Sequence, residues 1–426
     1  MIGYAGLTHL GLVSSAAAAS KGFDVVAFDP EPDLVARLQT GHMPVVEPGL
    51  PEMLDEQSTR ITLTADPAAL GRCRVVYVSV DVPTDDQHRS DVTPVERLVH
   101  LVAGRVAPDT AIVVLSQVPP GFCRTHQAAV EAAGSRLYCQ VETLVFGQAV
   151  ARAVAPERFM VGCPDPAVPL PRALTSFLGA FGCPVLPMRY ESAELCKISI
   201  NMFLVSSVAT TNTLAEICEV VGAEWREIAP ALRLDRRIGP HAYLSPGLGV
   251  GGGNLTRDLA TISHLARQYG TEAGVVEAWN ANTQHRRNWV LRELHRGVLS
   301  RPGPVAIGIW GLTYKENTAV TKSSPALELI ARLRDVPVAA FDPAARLDRE
   351  AVAPWLRIAG SPLEACRDAD ALAIMTPWPE FSGIDPAALV AVMRGRLLVD
   401  PYGIIDAHAA ARHGFVHRRL GTGSAR

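Results

Sequence analysis

The chain reads as an α/β protein with two doubly wound parallel-sheet domains joined by a long central helix. Three observations predict this. Short apolar strands alternate with helical stretches through the first part of the chain. From about Glu191 to Val221 apolar residues recur at helical spacing, with no Pro or Gly to interrupt them. Beyond the break Arg301-Pro302-Gly303-Pro304 the strand–helix rhythm restarts, and the segment VVAFDP ending at residue 30 is echoed by PVAAFDP ending at residue 343. The expected division is 1–186 and 301–426, each Rossmann-like, with a helical region over 187–300 between them. Two such domains make a cleft, and clefts between domains hold ligands.

The elements follow in order. Met1 to Ala5 reads as a strand, Gly6-Leu7-Thr8-His9-Leu10-Gly11 as a turn, and LVSSAAAASKG as a helix. The next strand, Val25 to Phe28, ends on Asp29. This is a βαβ dinucleotide pattern, with an acid about 20 residues after the glycines to bond a ribose hydroxyl. Thr8 stands at the middle glycine, where its Cβ would push a pyrophosphate away or its hydroxyl would bond it. Asp29 favours NAD over NADP, because a carboxylate repels a 2′-phosphate. Further strands are expected at Val75 to Val80, Ala111 to Leu115 and near Leu137 to Val141. In the last third, a strand over Val305 to Trp310, a helix from about Ser324 and a strand over Val338 to Phe341 are expected. The last residues, 421–426, read as a disordered tail.

Composition narrows the function classes. Forty basic against 43 acidic residues give a net charge of −3, which argues against nucleic-acid or membrane-surface partners. No uninterrupted apolar run approaches a membrane span, and a strand beginning at Met1 leaves no room for a signal peptide. Eight cysteines without a CxxC pair suggest reduced thiols in a cytoplasmic enzyme and no metal site. Only Lys21, Lys197, Lys315 and Lys322 are lysines among the 40 basic residues. In an arginine-rich chain, a lysine marks a position where a deprotonatable ammonium is useful.

Lys197 and Asn201 lie one turn apart on one helical face, among Ile198, Ile200, Met202, Phe203 and Leu204. A lysine in apolar surroundings can take a proton from an alcohol as hydride leaves, and an amide one turn on can hold the same oxygen. The run Pro246-Gly247-Leu248-Gly249-Val250-Gly251-Gly252-Gly253-Asn254 leads into Leu255-Thr256-Arg257-Asp258. Five glycines in seven residues are costly to order, and a backbone approaching a phosphate or sugar would justify them. Asp258 is expected on the first turn of the following helix.

Several ordered blocks then give the chain a recognisable outline. They are Pro48-Gly49-Leu50, Val82-Pro83-Thr84, Ala193-Glu194-Leu195-Cys196-Lys197 with Asn201, Tyr243 with the glycine run, Gly311-Leu312-Thr313-Tyr314-Lys315, Ser324-Pro325-Ala326 and Thr376-Pro377-Trp378-Pro379-Glu380-Phe381. On these blocks the chain resembles the UDP-glucose/GDP-mannose dehydrogenase family over almost its full length. The resemblance implies NAD as cofactor, held by Gly6, Thr8, His9, Leu10, Gly11, Asp29, Val82, Pro83, Thr84 and Gln117. It implies a nucleotide sugar held by Tyr243, Gly247, Gly249, Gly251, Arg237, Lys315 and Lys322, and a homodimer formed through the central helix.

The family oxidises a sugar alcohol twice and traps the intermediate aldehyde on a cysteine, and Asn254 stands at that cysteine's place. A carboxamide is no nucleophile, so no thiohemiacetal can form. Cys196 neighbours Lys197 but points about 100° away around the helix. Other family positions differ as well: Glu142 is kept, a second glutamate is Phe146, a threonine is Gln117, an arginine is Tyr402 and another is Lys322. Lys197, Asn201, Asp258 and Glu142 remain as catalytic candidates, enough for one two-electron step. A dehydrogenase that stops at a carbonyl and a redox-neutral NAD-dependent epimerase or isomerase both fit this pattern. A non-catalytic nucleotide-sugar-binding homologue is the third reading.

Overall fold

The computed structural model describes all residues except 86–89, 346, 348–352 and 424–426. The chain forms two compact units, residues 1–200 and 201–426. In the first, eight strands lie in the order β3-β2-β1-β4-β5-β6-β7-β8. They are β1 (Ile2–Ala5), β2 (Val25–Phe28), β3 (Ile61–Thr64), β4 (Val75–Val78), β5 (Ala111–Val114), β6 (Arg136–Gln140), β7 (Phe159–Cys163) and β8 (Val185–Arg189). The central strands are apolar and buried throughout, as a sheet covered on both faces requires. All pairs are parallel except β6 with β7, so the sheet is mixed rather than purely parallel.

The second unit carries six strands in the order β11-β10-β9-β12-β13-β14, all parallel. They are β9 (Ile307–Trp310), β10 (Val338–Phe341), β11 (Leu356–Ile358), β12 (Ala371–Ile374), β13 (Leu397–Val399) and β14 (Val416–Arg418). The strand β10 matches its expected span. The expected helix at Ser324 begins at Pro325, because Ser324 Oγ accepts the Ala326 N–H as an N-cap.

The central helix runs over Tyr190–Val221, one residue longer at its start than the sequence periodicity indicates. It is long and apolar enough to cross a membrane by length and composition, with 33% of that stretch buried inside the protein. Counting uninterrupted apolar residues misses this, because polar residues punctuate the helix. Two of them work inside the second unit: Asn201 donates to Asp258, and Asn212 Oδ1 accepts the Gly247 N–H.

The tail is ordered further than expected. Gly421 N donates to Glu219 Oε1 at 3.0 Å, Trp225 N donates to Gly421 O, and Gly423 N donates to Ala223 O. These bonds satisfy backbone groups that a free tail would leave to water. Residues 424–426 lie outside the described residues.

Candidate active site

In the first unit the turn after β1 is shaped by two glycines. Gly6 has φ of +100°, and a Cβ on Gly11 would lie 1.8 Å from Gly6 O. No side chain is tolerated at either place. The helix His9–Ser20 starts here with no acidic residue in its first turn and no side-chain cap, leaving backbone N–H groups for an anion. Thr8 Oγ1 accepts from Asp81 N at 2.9 Å and donates to Ser79 O, so its hydroxyl ties the turn to the end of β4. The sequence leaves open whether Thr8 pushes a pyrophosphate away or bonds it. Asp29 closes the turn from the other side: Oδ2 accepts from Leu7 N at 2.7 Å and Oδ1 from Glu31 N at 3.0 Å. Each oxygen keeps a second lone pair, so the donor set fits a dinucleotide with its ribose at Asp29.

Beside the turn is an arrangement that the sequence did not announce. His9 Nε2 lies 2.9 Å from Glu47 Oε2, and both side chains are buried. Glu47 also accepts from Gly147 N and Ala149 N, and the His9 ring stacks on Phe146 with centroids 4.3 Å apart. Phe146 thus fills its place with a ring contact where the resemblance expects a carboxylate. Val82, Pro83 and Thr84 follow β4; Pro83 O accepts from Asp91 N, and Thr84 bridges to Ser90. Gln117 follows β5, half-buried.

Glu142 follows β6. Burial raises its carboxyl above the usual range, opposed by the Thr143 N–H and by the nearby charge of Lys197. Cys196 turns elsewhere, its Sγ 3.3 Å from Met160 Sδ. Cys123, Cys139 and Glu194 cluster in the same core, where Glu194 accepts from Gly121 N and Cys123 N and so caps the helix Phe122–Ala132.

In the second unit, Asn201 Nδ2 donates to Asp258 Oδ2 at 2.5 Å, and Arg257 Nε lies 3.4 Å from Asp258 Oδ1. All three are buried. Asp258 sits on the second turn of its helix, not the first, because that helix already begins at Gly253. Asn254 is exposed near the helix start. The glycine run is tightly packed: a Cβ on Gly249 would meet Thr283 at 2.9 Å, and one on Gly252 would meet the Tyr314 ring at 2.7 Å. Gly247 approaches Tyr402, and Lys322 Cδ lies 4.0 Å from where a Gly253 Cβ would be. The loop, Lys322 and Tyr402 thus come together. Gly251 stands beside Tyr314, over whose ring Lys315 Nζ sits at 5.8 Å. Tyr243 is 48% exposed and bonds the central helix through its backbone, its O accepting from Thr211 Oγ1. Arg237 is a surface residue, its side chain 89% exposed and paired with Asp235 at 2.6 Å. Arg287, not foreseen, donates through Nη2 to Val250 O at 2.6 Å and pins the loop.

Comparison with known proteins matches this architecture along the chain. Residues 1–171 match the NAD binding domain, 191–284 the central domain and 308–407 the UDP binding domain of one family. The chain belongs to the UDP-glucose/GDP-mannose dehydrogenase family. It is an NAD-dependent oxidoreductase. Among curated members of this dehydrogenase family, the UDP-glucose 6-dehydrogenase of Rhizobium meliloti is 29% identical over 98% of each chain. The UDP-glucose 6-dehydrogenase TuaD of Bacillus subtilis is 27% identical, covering 98% of this chain and 92% of its own. The UDP-glucose dehydrogenase structure from Pyrobaculum islandicum superposes with a TM-score of 0.86 at 25% identity, over 99% of this chain and 98% of that one.

Proposed function

We propose that this family member oxidises the alcohol of a nucleotide-linked sugar by one two-electron hydride transfer and stops at the carbonyl. The observation that carries the reading is the pairing of a retained acid–base group with a missing nucleophile. Lys197 and Asn201 stand one turn apart on the central helix, and Asn201 is held by buried Asp258. By the resemblance, Asn254 stands where the family's nucleophile is expected. Bound NAD supplies the hydride acceptor. Lys197 takes the alcohol proton, Asn201 orients the oxygen, and Asp258 fixes the amide so that its remaining N–H points at substrate. The donor turn Gly6–Gly11 with Asp29 holds the dinucleotide, and the packed glycine run with Tyr314, Lys322 and Tyr402 receives the nucleotide sugar.

The curated relatives named above act on UDP-glucose, which makes UDP-glucose the first substrate to try. Incubation with UDP-glucose, other nucleotide sugars and NAD, with NADH and product mass followed together, tests the reading. One NADH per product and a loss of two hydrogens are expected. Two NADH per uronic acid would overturn it. An epimerised product with no net NADH would select the isomerase instead.

The three-part division at 186 and 300 is retained as the working domain scheme. The apolar residues Phe203, Leu214, Ile217 and Val221 recur at helical spacing along one stripe of the central helix, and all are exposed. A second copy of the chain covers this stripe, giving a homodimer in the cytoplasm, where the eight cysteines stay reduced.

A further inference from the structure

The glycine run crosses a seam between two apolar clusters of the second unit. Leu248 belongs to the cluster of Trp289, Ile309, Ala326 and Leu329, whereas Val250, two residues on, belongs to that of Val205, Leu259 and Val276. Gly249 and Gly252 take positive φ, +82° and +81°, and glycine loses more conformational freedom on ordering than any other residue. Packing of two side chains does not fix such a backbone. Three polar side chains do. Asn212 Oδ1 accepts the Gly247 N–H at 2.9 Å, Thr283 Oγ1 accepts the Val250 N–H at 3.3 Å, and Arg287 Nη2 donates to Val250 O at 2.6 Å. Arg287 differs from the other two. It ends the helix Gly274–Arg287, where an arginine commonly turns back on the last carbonyls of its own helix. Its side chain, 8% exposed, instead forks: Nη2 takes the loop while Nη1 pairs with Glu328 Oε1 on the helix Pro325–Arg332. That helix lies within residues 308–407, the match to the UDP binding domain. One guanidinium thus spans from the loop to that domain. A second tie, from Arg332 on the same helix to Asn288 Oδ1, involves no loop atom.

We propose that Arg287 is a positioning residue for the nucleotide sugar: its fork, completed by Glu328, sets where the glycine run lies against the UDP-binding domain. The role rests on the reading above that this loop receives the nucleotide sugar. A guanidinium is the group that can do this. It presents its N–H groups in a rigid plane, so the Val250 carbonyl and the Glu328 carboxylate are held at a set separation. An ammonium carries the same charge without that geometry. Both bonds are charge-assisted, and the Arg287 side chain is largely shielded from water, which strengthens them. A loop fixed in this way meets its ligand already ordered, so binding does not bear the cost of ordering it. Breaking the fork returns that cost to the ligand. Affinity for the nucleotide falls, while the dinucleotide, received by the turn of the first unit, binds as before. Lys197 and Asn201 are untouched, so the chemical step suffers less than substrate binding.

Titration calorimetry of the whole protein with UDP, and hydrogen–deuterium exchange of the amides in 247–253, test the role without turnover. Arg287→Lys keeps the charge and most of the apolar stem. Its Kd for UDP should rise roughly tenfold at unchanged NAD affinity, as for the loss of a charge-assisted hydrogen bond. Exchange in the loop should quicken with it. Arg332→Ala cuts the second tie and serves as the control for a merely structural clamp: it should lower the melting temperature and leave UDP affinity and loop exchange as they were. Should Arg287→Lys not fold, Glu328→Gln decides the matter. It keeps the shape, removes the charge, and should raise the Kd for UDP about threefold with faster loop exchange. In turnover with UDP-glucose and NAD, Arg287→Lys should raise KM more than it lowers kcat. Unchanged UDP affinity and loop exchange in the folded variant overturn the role, and so does an equal loss in Arg332→Ala. If the unmodified protein binds no UDP, the placement of the nucleotide sugar fails and this role falls with it. If UDP binds alike to the protein and every variant, this role alone falls.

Discussion

Asp29 and Asp342 hold the same turn in the two sheets. Asp29 Oδ2 accepts the Leu7 N–H at 2.7 Å, and Asp342 Oδ2 accepts the Leu312 N–H at 2.6 Å. In both cases the preceding glycine, Gly6 or Gly311, has a positive φ and donates to the last residue of the neighbouring strand, Phe28 or Phe341. The repeat VVAFDP and PVAAFDP is thus a structural repeat. The two carboxylates differ in company: Asp342 also accepts from Thr313 and from Trp378 Nε1 at 3.2 Å, whereas among the described residues Asp29 accepts from two backbone N–H groups. The Asp342 turn is filled by its own protein, and the Asp29 turn keeps acceptor capacity for a ribose.

That difference predicts distinct outcomes for one substitution at two places. Asp29→Ala should weaken NAD binding by roughly 1–2 kcal/mol, or about 5- to 30-fold in Kd, as expected for a charge-assisted hydrogen-bond pair. Asp342→Ala should lower the melting temperature while leaving NAD affinity unchanged. Titration calorimetry with NAD and NADP on both variants checks this. Tighter binding of NADP than NAD by the unmodified protein would contradict the role given to Asp29.

The turn was legible because glycine spacing and a strand-end acid are local features. So were the central helix, whose period is uninterrupted, and β10. What was not legible depends on residues far apart in sequence. His9 and Glu47 are 38 residues apart, and nothing in either neighbourhood marks them as a buried pair stacked beside Phe146. The tie between the Thr8 hydroxyl and Asp81 N could not be read locally, because the two lie 73 positions apart. The pairing of Arg237 with Asp235, two residues earlier, was not foreseen either. The antiparallel β6–β7 pair also escaped, since alternation of strands and helices says nothing of strand direction.

The His9–Phe146 stack bears on the proposed loss of the nucleophile. Asn254→Cys supplies a thiol, but Phe146 remains in a ring contact and Gln117 stands where the resemblance expects a threonine. A covalent adduct with substrate should accumulate, visible by intact-protein mass, with at most one NADH per enzyme. Efficient formation of a uronic acid by this single variant would show that Phe146 and Gln117 are immaterial.

The central-helix stripe predicts a dimer that one charge can split. Phe203 is 79% exposed and stands at one end of the stripe. Phe203→Asp should convert the dimer to a monomer in sedimentation experiments without altering the far-ultraviolet spectrum. A monomeric unmodified protein would leave the stripe without the role proposed for it.

Glu142 predicts a pH-dependent stability with a definite sign. Burial raises its folded carboxyl above the value in the unfolded chain. Its contribution is therefore full at low pH, where both states are protonated. It is lost as pH rises through the folded value, because the unfolded state releases its proton more readily. Glu142→Gln removes that loss while keeping the shape. The variant should melt higher than the unmodified protein near pH 8, with the gap closing toward about pH 4. Its turnover should fall even as its stability rises. A gap independent of pH would place the carboxyl at its ordinary value.

Lys197 carries the most exposed claim. It is one of four lysines among 40 basic residues. Arginine would keep the charge but cannot release a proton near neutral pH. Lys197→Arg should preserve folding and NAD affinity while lowering hydride transfer by roughly 10²–10⁴, the usual range for general acid–base work. Asn201→Ala should cost less, since it removes an orienting hydrogen bond and leaves the base in place. It should also take a hydrogen-bond donor away from buried Asp258, so some loss of stability should accompany it. Isotope exchange between labelled NADH and a candidate sugar measures both variants even if the net reaction is redox-neutral. Should Lys197→Arg exchange hydride as fast as the unmodified protein, the lysine is structural, and a non-catalytic sugar-binding role becomes the better account.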